Sequence, residues 1–395
     1  MRRSSWLCVA LVFGCSSSPD DAGPAQKPIV PEGVSVSDDE FIFSTGDFEV
    51  PAGEERFLCY TSTLDQDAVI DRYRYSSHAA IHHFVLANTL SPEPDKFSEC
   101  DVLFRPTWSP LFISTTADAT LDIPEGAANV LPAGTQLLIQ LHLLNNSNQP
   151  IKDRAIVNMR RSPLSDPIPA GVYAFGTTRI ELPPQQTTTL QGVCTTSRDV
   201  KLFAMLPHMH YLGRAMRLEM GPDESSLSTF YTKDPYDFDN QRLDLLPLTI
   251  PSGYVTRTSC TFENTHDQPI SFGESSLNEM CFAVGFAIEQ QGAGGCIQSG
   301  SGKQVPRDPS AGECADVVPN SLGIGAACTK DGGQCAADLK CSADLRATAD
   351  GTGQCIRLGC TDAADCGGGS ATCCSYSLTD LCVAEACRPL DCVPK

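Results

Sequence analysis

Positive charge is scarce in this chain: 28 Lys and Arg stand against 48 Asp and Glu, a formal charge of −20 over 395 residues. Phosphate contacts need clustered cations, so nucleic acid is excluded as a partner, and the acidic surplus reads as a solubility device. Long apolar runs are missing beyond the amino terminus. No later stretch reaches about 18 apolar residues, which excludes a threaded transmembrane helix. Long amphipathic helical patterns are missing as well, and histidine numbers only seven. Cysteine runs the other way. Twenty of them are too many for a reducing cytosol and imply an oxidising compartment.

The amino terminus says which compartment. Arg2-Arg3 form a short basic region, Trp6 to Phe13 an apolar stretch too short to span a bilayer, and Gly14-Cys15 a small-residue-plus-cysteine junction. Residues 1–15 thus read as a bacterial lipoprotein signal, with Cys15 lipidated as the first mature residue. Residues 16–34, rich in Ser, Pro and Asp, read as a flexible tether. The expected location is the bacterial cell envelope, and Ser16 rather than Asp after the cysteine favours the outer membrane. Membrane contact is expected only through the lipid.

The rest divides into three. Residues 35–165 hold short Val-, Ile-, Leu- and Phe-rich runs separated by Pro, Gly, Asn and Asp, the pattern of an antiparallel β-sandwich. After a break at Ser162 to Pro169 the pattern repeats over 166–298, with strands expected at Val172 to Ile180, Val200 to Met220, Leu243 to Ile250, Val255 to Phe262 and Cys281 to Ile288. Gly292 to Ser310 is rich in Gly, Ser and Gln and reads as linker, the domain boundary being set at 298 and the linker proper at 299–313. Residues 314–395 then carry twelve cysteines and little apolar sequence. Six disulfides must replace burial there, since the module has no histidine and no Cys-x2-Cys pair to hold zinc. Their connectivity stays open, as does the module's role as spacer or surface-binding element. The fold class is all-β: two tandem, jelly-roll-like sandwiches and a small disulfide-rich module.

Five of the seven histidines stand in suggestive company. His82 and His83 are adjacent, His142 ends Gln140-Leu141-His142, and His208-Met209-His210 closes an apolar run. In a strand, His208 and His210 project from one side, so one metal can reach both. Gln140 likewise shares a face with His142, while Leu137, Ile139, Leu141 and Leu143 line the core face. Met280 adds a thioether. Imidazoles with a soft sulfur favour copper that cycles through Cu(I) over zinc. His78 and His266 match no ligand position and read as surface residues.

These stretches, His82-His83-Phe84, Gln140-Leu141-His142, His208 to Gly213 and Glu279-Met280-Cys281, supported by Ala170 to Tyr173, Pro183-Pro184 and Tyr236 to Gln241, resemble the copper type II, ascorbate-dependent monooxygenases in the family's own order. The family includes the peptidylglycine α-hydroxylating monooxygenase and dopamine β-hydroxylase, and the resemblance spans roughly residues 40 to 297. It implies two coppers per chain, one on each sandwich, facing across a cleft. One, on His82, His83 and His142, would take single electrons from ascorbate or another donor. The other, on His208, His210 and Met280, would activate O2 for hydroxylation of a substrate C–H bond. Gln140 would orient a ligand or water. The family also implies disulfides Cys59–Cys100, Cys194–Cys296 and Cys260–Cys281.

In the peptide-hydroxylating branch an arginine and a tyrosine hold the substrate carboxylate; Leu206 and Val284 occupy those positions here, with Phe282 beside them. The expected substrate is therefore a small, uncharged organic molecule. Two other readings stay open: a copper-storage lipoprotein without turnover, and an adhesive surface protein that would purify without copper. The lipid anchor is testable directly. Cys15→Ser should move the protein from the membrane to the soluble envelope fraction, and an unmodified mature amino terminus by mass spectrometry would contradict lipidation.

Overall fold

Alternating apolar residues build two facing sheets in the first sandwich. Glu55–Thr63, Gln136–Leu144 and Ile81–Thr89 form the middle of a five-stranded antiparallel sheet, and Ala68–Ser76 and Ile156–Arg161 lie in the sheet opposite. Tyr75 stacks on Phe84 at 4.0 Å and Tyr73 on Phe112 at 5.8 Å, joining the layers through fully buried rings. This computed structural model describes residues 32–394, apart from 77–80, 91, 101–107, 117, 274, 291, 299–313, 330–331, 346–351, 377–378 and 389–391. The leader with Cys15, His78 and the 299–313 linker lie outside the described residues. Among those described, no helix is long and apolar enough to cross a membrane.

The second sandwich sets Ile168–Thr177, Cys281–Ile288 and Val200–His208 against a sheet containing Gln186–Thr195, Val255–Asn264 and Gly213–Gly221. Its core holds Phe175, Met205, Met216, Phe262 and Cys281. Disulfide Cys260–Cys281 ties the two layers, and Cys59–Cys100 and Cys194–Cys296 are also formed. Cys281 lies in this core, whereas the preceding Met280 lies in the other one, so the bridge and the thioether occupy opposite sides.

Pairing is not antiparallel throughout. Ala127–Leu131 meets Ile168–Thr177 in parallel, so one eleven-stranded sheet runs from the first sandwich into the second. Gly292–Gln298, expected in part as linker, is a strand lying parallel to Ile168–Thr177. Its glycines answer to crowding: a Cβ on Gly171 would come within 2.3 Å of the Gly292 carbonyl. Composition marked the segment as flexible, but close backbone approach is what the glycines serve.

The region Val200 to Met220 is two strands, Val200–His208 and Gly213–Gly221, because a turn through His210 intervenes. The Gln136–Leu144 strand is buried on both faces rather than one. Residues of the second sandwich cause this: Ala204, Leu206, Met280, Phe282 and Val284 belong to the same apolar core as Leu138 and Val85, which lie on the His142 side of the first sandwich's sheet. A strand covered on both sides reads as a continuous apolar run.

In the carboxy-terminal module a small sheet is crossed by Cys314–Cys387, Cys328–Cys341, Cys335–Cys355, Cys360–Cys373, Cys366–Cys382 and Cys374–Cys392. Half-cystines dominate one of its two small cores, and the other sets Cys374 and Cys392 beside Ile356, Leu381 and Val383.

Buried Asn129 joins the sandwiches. Its Oδ1 accepts from the Tyr73 hydroxyl at 2.8 Å and its Nδ2 donates to the Ala170 carbonyl at 2.7 Å. Asn129→Ala strands both partners, so it should cost on the order of 2–4 kcal/mol. A lower urea midpoint with an unchanged m-value checks this; an unchanged midpoint would contradict it.

Candidate metal centre

His83 is paired with His142 across neighbouring strands, and Ile81 with Leu143, which leaves His82 as an extra residue in a β-bulge. In regular pleating, neighbours 82 and 83 would point to opposite faces. The bulge re-aims them. As a result the ring nitrogens of His82, His83 and His142 include one set lying within 4.8 Å of one another, and the three ring centroids are 4.7–5.6 Å apart. Phe57 stacks on His142 at 4.1 Å, and Phe238 covers His82 at 4.5 Å.

On the second sandwich, His208 is the last residue of its strand and His210 lies beyond it. Strand alternation therefore does not place His210; a buried carboxylate does. Glu279 accepts from the backbone N–H of His210 at 2.9 Å, of Leu212 at 2.7 Å and of Met280 at 3.2 Å. One side chain thus fixes the His-x-His turn and the methionine backbone together. Tyr236 grips the same turn from the other side, donating to the Met209 carbonyl at 2.6 Å and accepting from its N–H at 2.8 Å. Gly213 lets these groups close up, since a Cβ there would stand 2.9 Å from that of Met209. The His208 and His210 rings end 5.2 Å apart.

Hydrogen bonds also select the tautomers. His208 Nδ1 donates to Gln241 Oε1 at 2.8 Å, and His210 Nδ1 donates to the Asn278 carbonyl at 3.0 Å. Both Nε2 atoms then carry a lone pair, and both are buried without a partner. On the first sandwich His142 Nε2 donates to Glu55 Oε1 at 2.6 Å, leaving Nδ1 as the basic nitrogen. That Nδ1 stands 3.3 Å from His83 Nδ1. Two imidazole nitrogens bound tetrahedrally to one metal at roughly 2.0 Å would be about 3.3 Å apart, so the spacing fits a shared ion. The orphaned nitrogens and this spacing suit a metal with borderline-soft preferences.

The two groups are not separated by an open cleft. His83 and His208 rings approach to 5.9 Å, so the five imidazoles form one buried cluster. The reason is packing: the strand faces carrying Leu206, Phe282 and Val284 are absorbed into the core of the first sandwich, and the histidines meet where the sandwiches close. Met280, 1% exposed, lies in that core. Gln140 is fully buried one pleat from His142, paired with Cys59 and Val85. His266 is exposed, as a surface residue.

Residues 168–305 match the model for the copper type II ascorbate-dependent monooxygenase, C-terminal domain. The second sandwich is therefore similar to the C-terminal domain of that family. The family is copper- and ascorbate-dependent, and the match contains His208, His210 and Met280. No curated protein matches the chain. Among solved structures, the PBCV-1 VP54 protein fitted into a reconstruction of the virophage Sputnik is 8% identical, covering 67% of this chain and 96% of that one at a TM-score of 0.24. A triple jelly-roll protein of an archaeal virus is 7% identical over 65% and 61% at 0.18, and allantoicase is 10% identical over 54% and 78% at 0.18. Scores this low inform neither fold nor function.

Some residues that hold the histidines were missed as individual positions. Tyr236, Gln241 and Glu279 lie in motifs visible in the sequence, but their work is done through hydrogen bonds that spacing does not reveal. Glu55 carried no signal.

Burial keeps the imidazoles neutral. Desolvation lowers all five, with His82 and His208 pushed down to about 3 and His210 to about 4, and neighbouring histidines add to the depression in each of these three and in His83. Glu279 is raised to about 7 by burial despite its three N–H donors. In the metal-free protein the unfolded chain binds histidine protons below pH 6.5 that the folded chain refuses, so stability falls as pH drops from 6.5 towards 4. Glu279 works in the opposite direction over 4.5–7, as one group against five. Urea midpoints of metal-free protein should therefore decline across that window; a flat or rising profile would contradict the buried neutral cluster.

Proposed function

We propose that the chain is a copper-dependent monooxygenase, hydroxylating a C–H bond of a small, uncharged organic substrate with O2 and a one-electron donor such as ascorbate. The observation that carries the reading is the buried cluster of neutral imidazoles, four with an unpartnered Nε2, two of the five lying inside the residues that match the family's domain. One oxygen atom of O2 enters the product, and the other leaves as water with two electrons from the donor and two protons. His82, His83 and His142 would hold one copper, and His208, His210 and Met280 the other. Bound copper supplies single-electron transfer at the first site and O2 activation at the second.

The protein's own groups supply the rest. Three nitrogens accommodate both copper oxidation states, while the soft sulfur of Met280 favours Cu(I). Gln241 and the Asn278 carbonyl hold the His208 and His210 rings with Nε2 facing the site, and Glu279 fixes the backbone between them. Phe57 and Phe238 exclude water around the first group. Leu206, Phe282 and Val284 are all at least 93% buried on the Met280 side; a substrate carboxylate there would lose water and gain no cation, a penalty of at least a few kcal/mol. Cys15 would hold the enzyme to the bacterial envelope, with membrane contact through that lipid alone.

Met280→Ile keeps roughly the volume and removes the sulfur. Copper–sulfur scattering should be present in the reduced parent and lost in the variant, with hydroxylation abolished and the three-histidine copper retained. Incorporation of 18O into product from labelled O2 by the parent, together with no saturable hydroxylation of glycine-terminated peptides, is the matching expectation. Parent protein that binds no copper, or shows no copper–sulfur scattering, would overturn the assignment.

A further inference from the structure

Glu55 opens the strand Glu55–Thr63 of the first sandwich, in a segment with no histidine and no motif. Its Oε1 accepts from His142 Nε2 at 2.6 Å and also from the backbone N–H of Ser276 at 3.2 Å, a residue 221 positions away in the second sandwich. Two residues further on, the Asn278 carbonyl accepts from His210 Nδ1 at 3.0 Å. A short chain of contacts therefore runs His142, Glu55, Ser276, Asn278, His210. Each end is an imidazole assigned to a different copper.

The geometry is specific. The Glu55 side chain is 24% exposed and that of His142 fully buried, so the carboxylate meets the ring at the edge of the cluster rather than in bulk water. Two N–H donors, from His142 and Ser276, converge on this one carboxylate oxygen. An ionised carboxylate on the far nitrogen of a metal-bound imidazole makes the ring a stronger donor and favours the higher oxidation state. The Ser276 contact ties the same carboxylate to the turn whose carbonyl orients His210.

We propose that Glu55 is a positioning residue joining the two halves of the site, setting the donor strength of His142 through its charge and holding the 275–278 turn against the first sandwich through its geometry. This rests on the copper reading above. Two substitutions separate the parts. Glu55→Gln keeps an acceptor oxygen and removes the charge; Glu55→Ala removes both.

The test uses full-length protein loaded with copper, comparing Cu(II) affinity and reduction potential at the three-histidine site, and amide hydrogen exchange at Ser276. In Glu55→Gln, Cu(II) binding at that site should weaken about 10- to 100-fold with Cu(I) binding little changed, which raises the potential by about 59 mV per tenfold for one electron. Ser276 exchange should stay as slow as in the parent. In Glu55→Ala the same loss of Cu(II) affinity should appear with faster Ser276 exchange. Because metal-free protein can be assayed by exchange alone, a variant that loads copper poorly still reports on the turn. Parent-like potentials and affinities in both variants, in a parent that does bind copper, would overturn the proposal and leave the copper reading standing. A parent that binds no copper would overturn both.

Discussion

Removal of five imidazoles from water is the constraint around which this molecule is arranged. A histidine shut away between two sandwiches cannot carry charge without a partner, and here the rings crowd one another, so each would repel a proton on the next. Neutral rings have lone pairs to satisfy. Four Nε2 atoms are left without a protein partner, an arrangement that costs stability in the bare protein; a cation would relieve those that carry the lone pair, as His208 and His210 do. Such a deficit concentrated in one place is typical of a site in which function outweighs local stability.

Holding those rings falls mostly to groups that act on backbone or on the far ring nitrogen. Glu279 and Tyr236 bind the peptide groups of the His-x-His turn, Gln241 and Asn278 fix its tautomers, and a bulge turns His82 beside His83. None of these contacts depends on a metal, so the nitrogens are oriented in advance. The apolar core shared by both sandwiches does the remaining work, because it fixes how the two groups of rings meet. Asn129 supplies one polar tie across that junction.

The carboxy-terminal module obeys a different economy. With few large apolar side chains to bury, it relies on six cross-links, and one of its two small cores is built largely from the half-cystines themselves. Two groups of three cysteines in it lie close enough for metal binding, but all six are consumed in disulfides. Sulfur chemistry in this chain is thus divided: the module uses it for structure, while the proposed copper site would use the thioether of Met280.

The sequence by itself determined the all-β class, the repetition of a sandwich pattern, the disulfide-dense tail and the histidine stretches, because each depends on residue type and short-range alternation. What it could not determine involves contacts between distant segments. Alternation placed His208 correctly but not His210, which lies past the strand and is held by a carboxylate 69 positions away. Adjacency of His82 and His83 carried no hint of the bulge, since a bulge is a relation between two strands. Burial of both faces of Gln136–Leu144 followed from another domain's side chains, and the approach of His83 to His208 from the packing of Leu206 and Phe282 into a core they do not share in sequence. Residue chemistry is local and can be read; the apposition of the two sandwiches is a property of the folded chain, and it alone brought the five rings together.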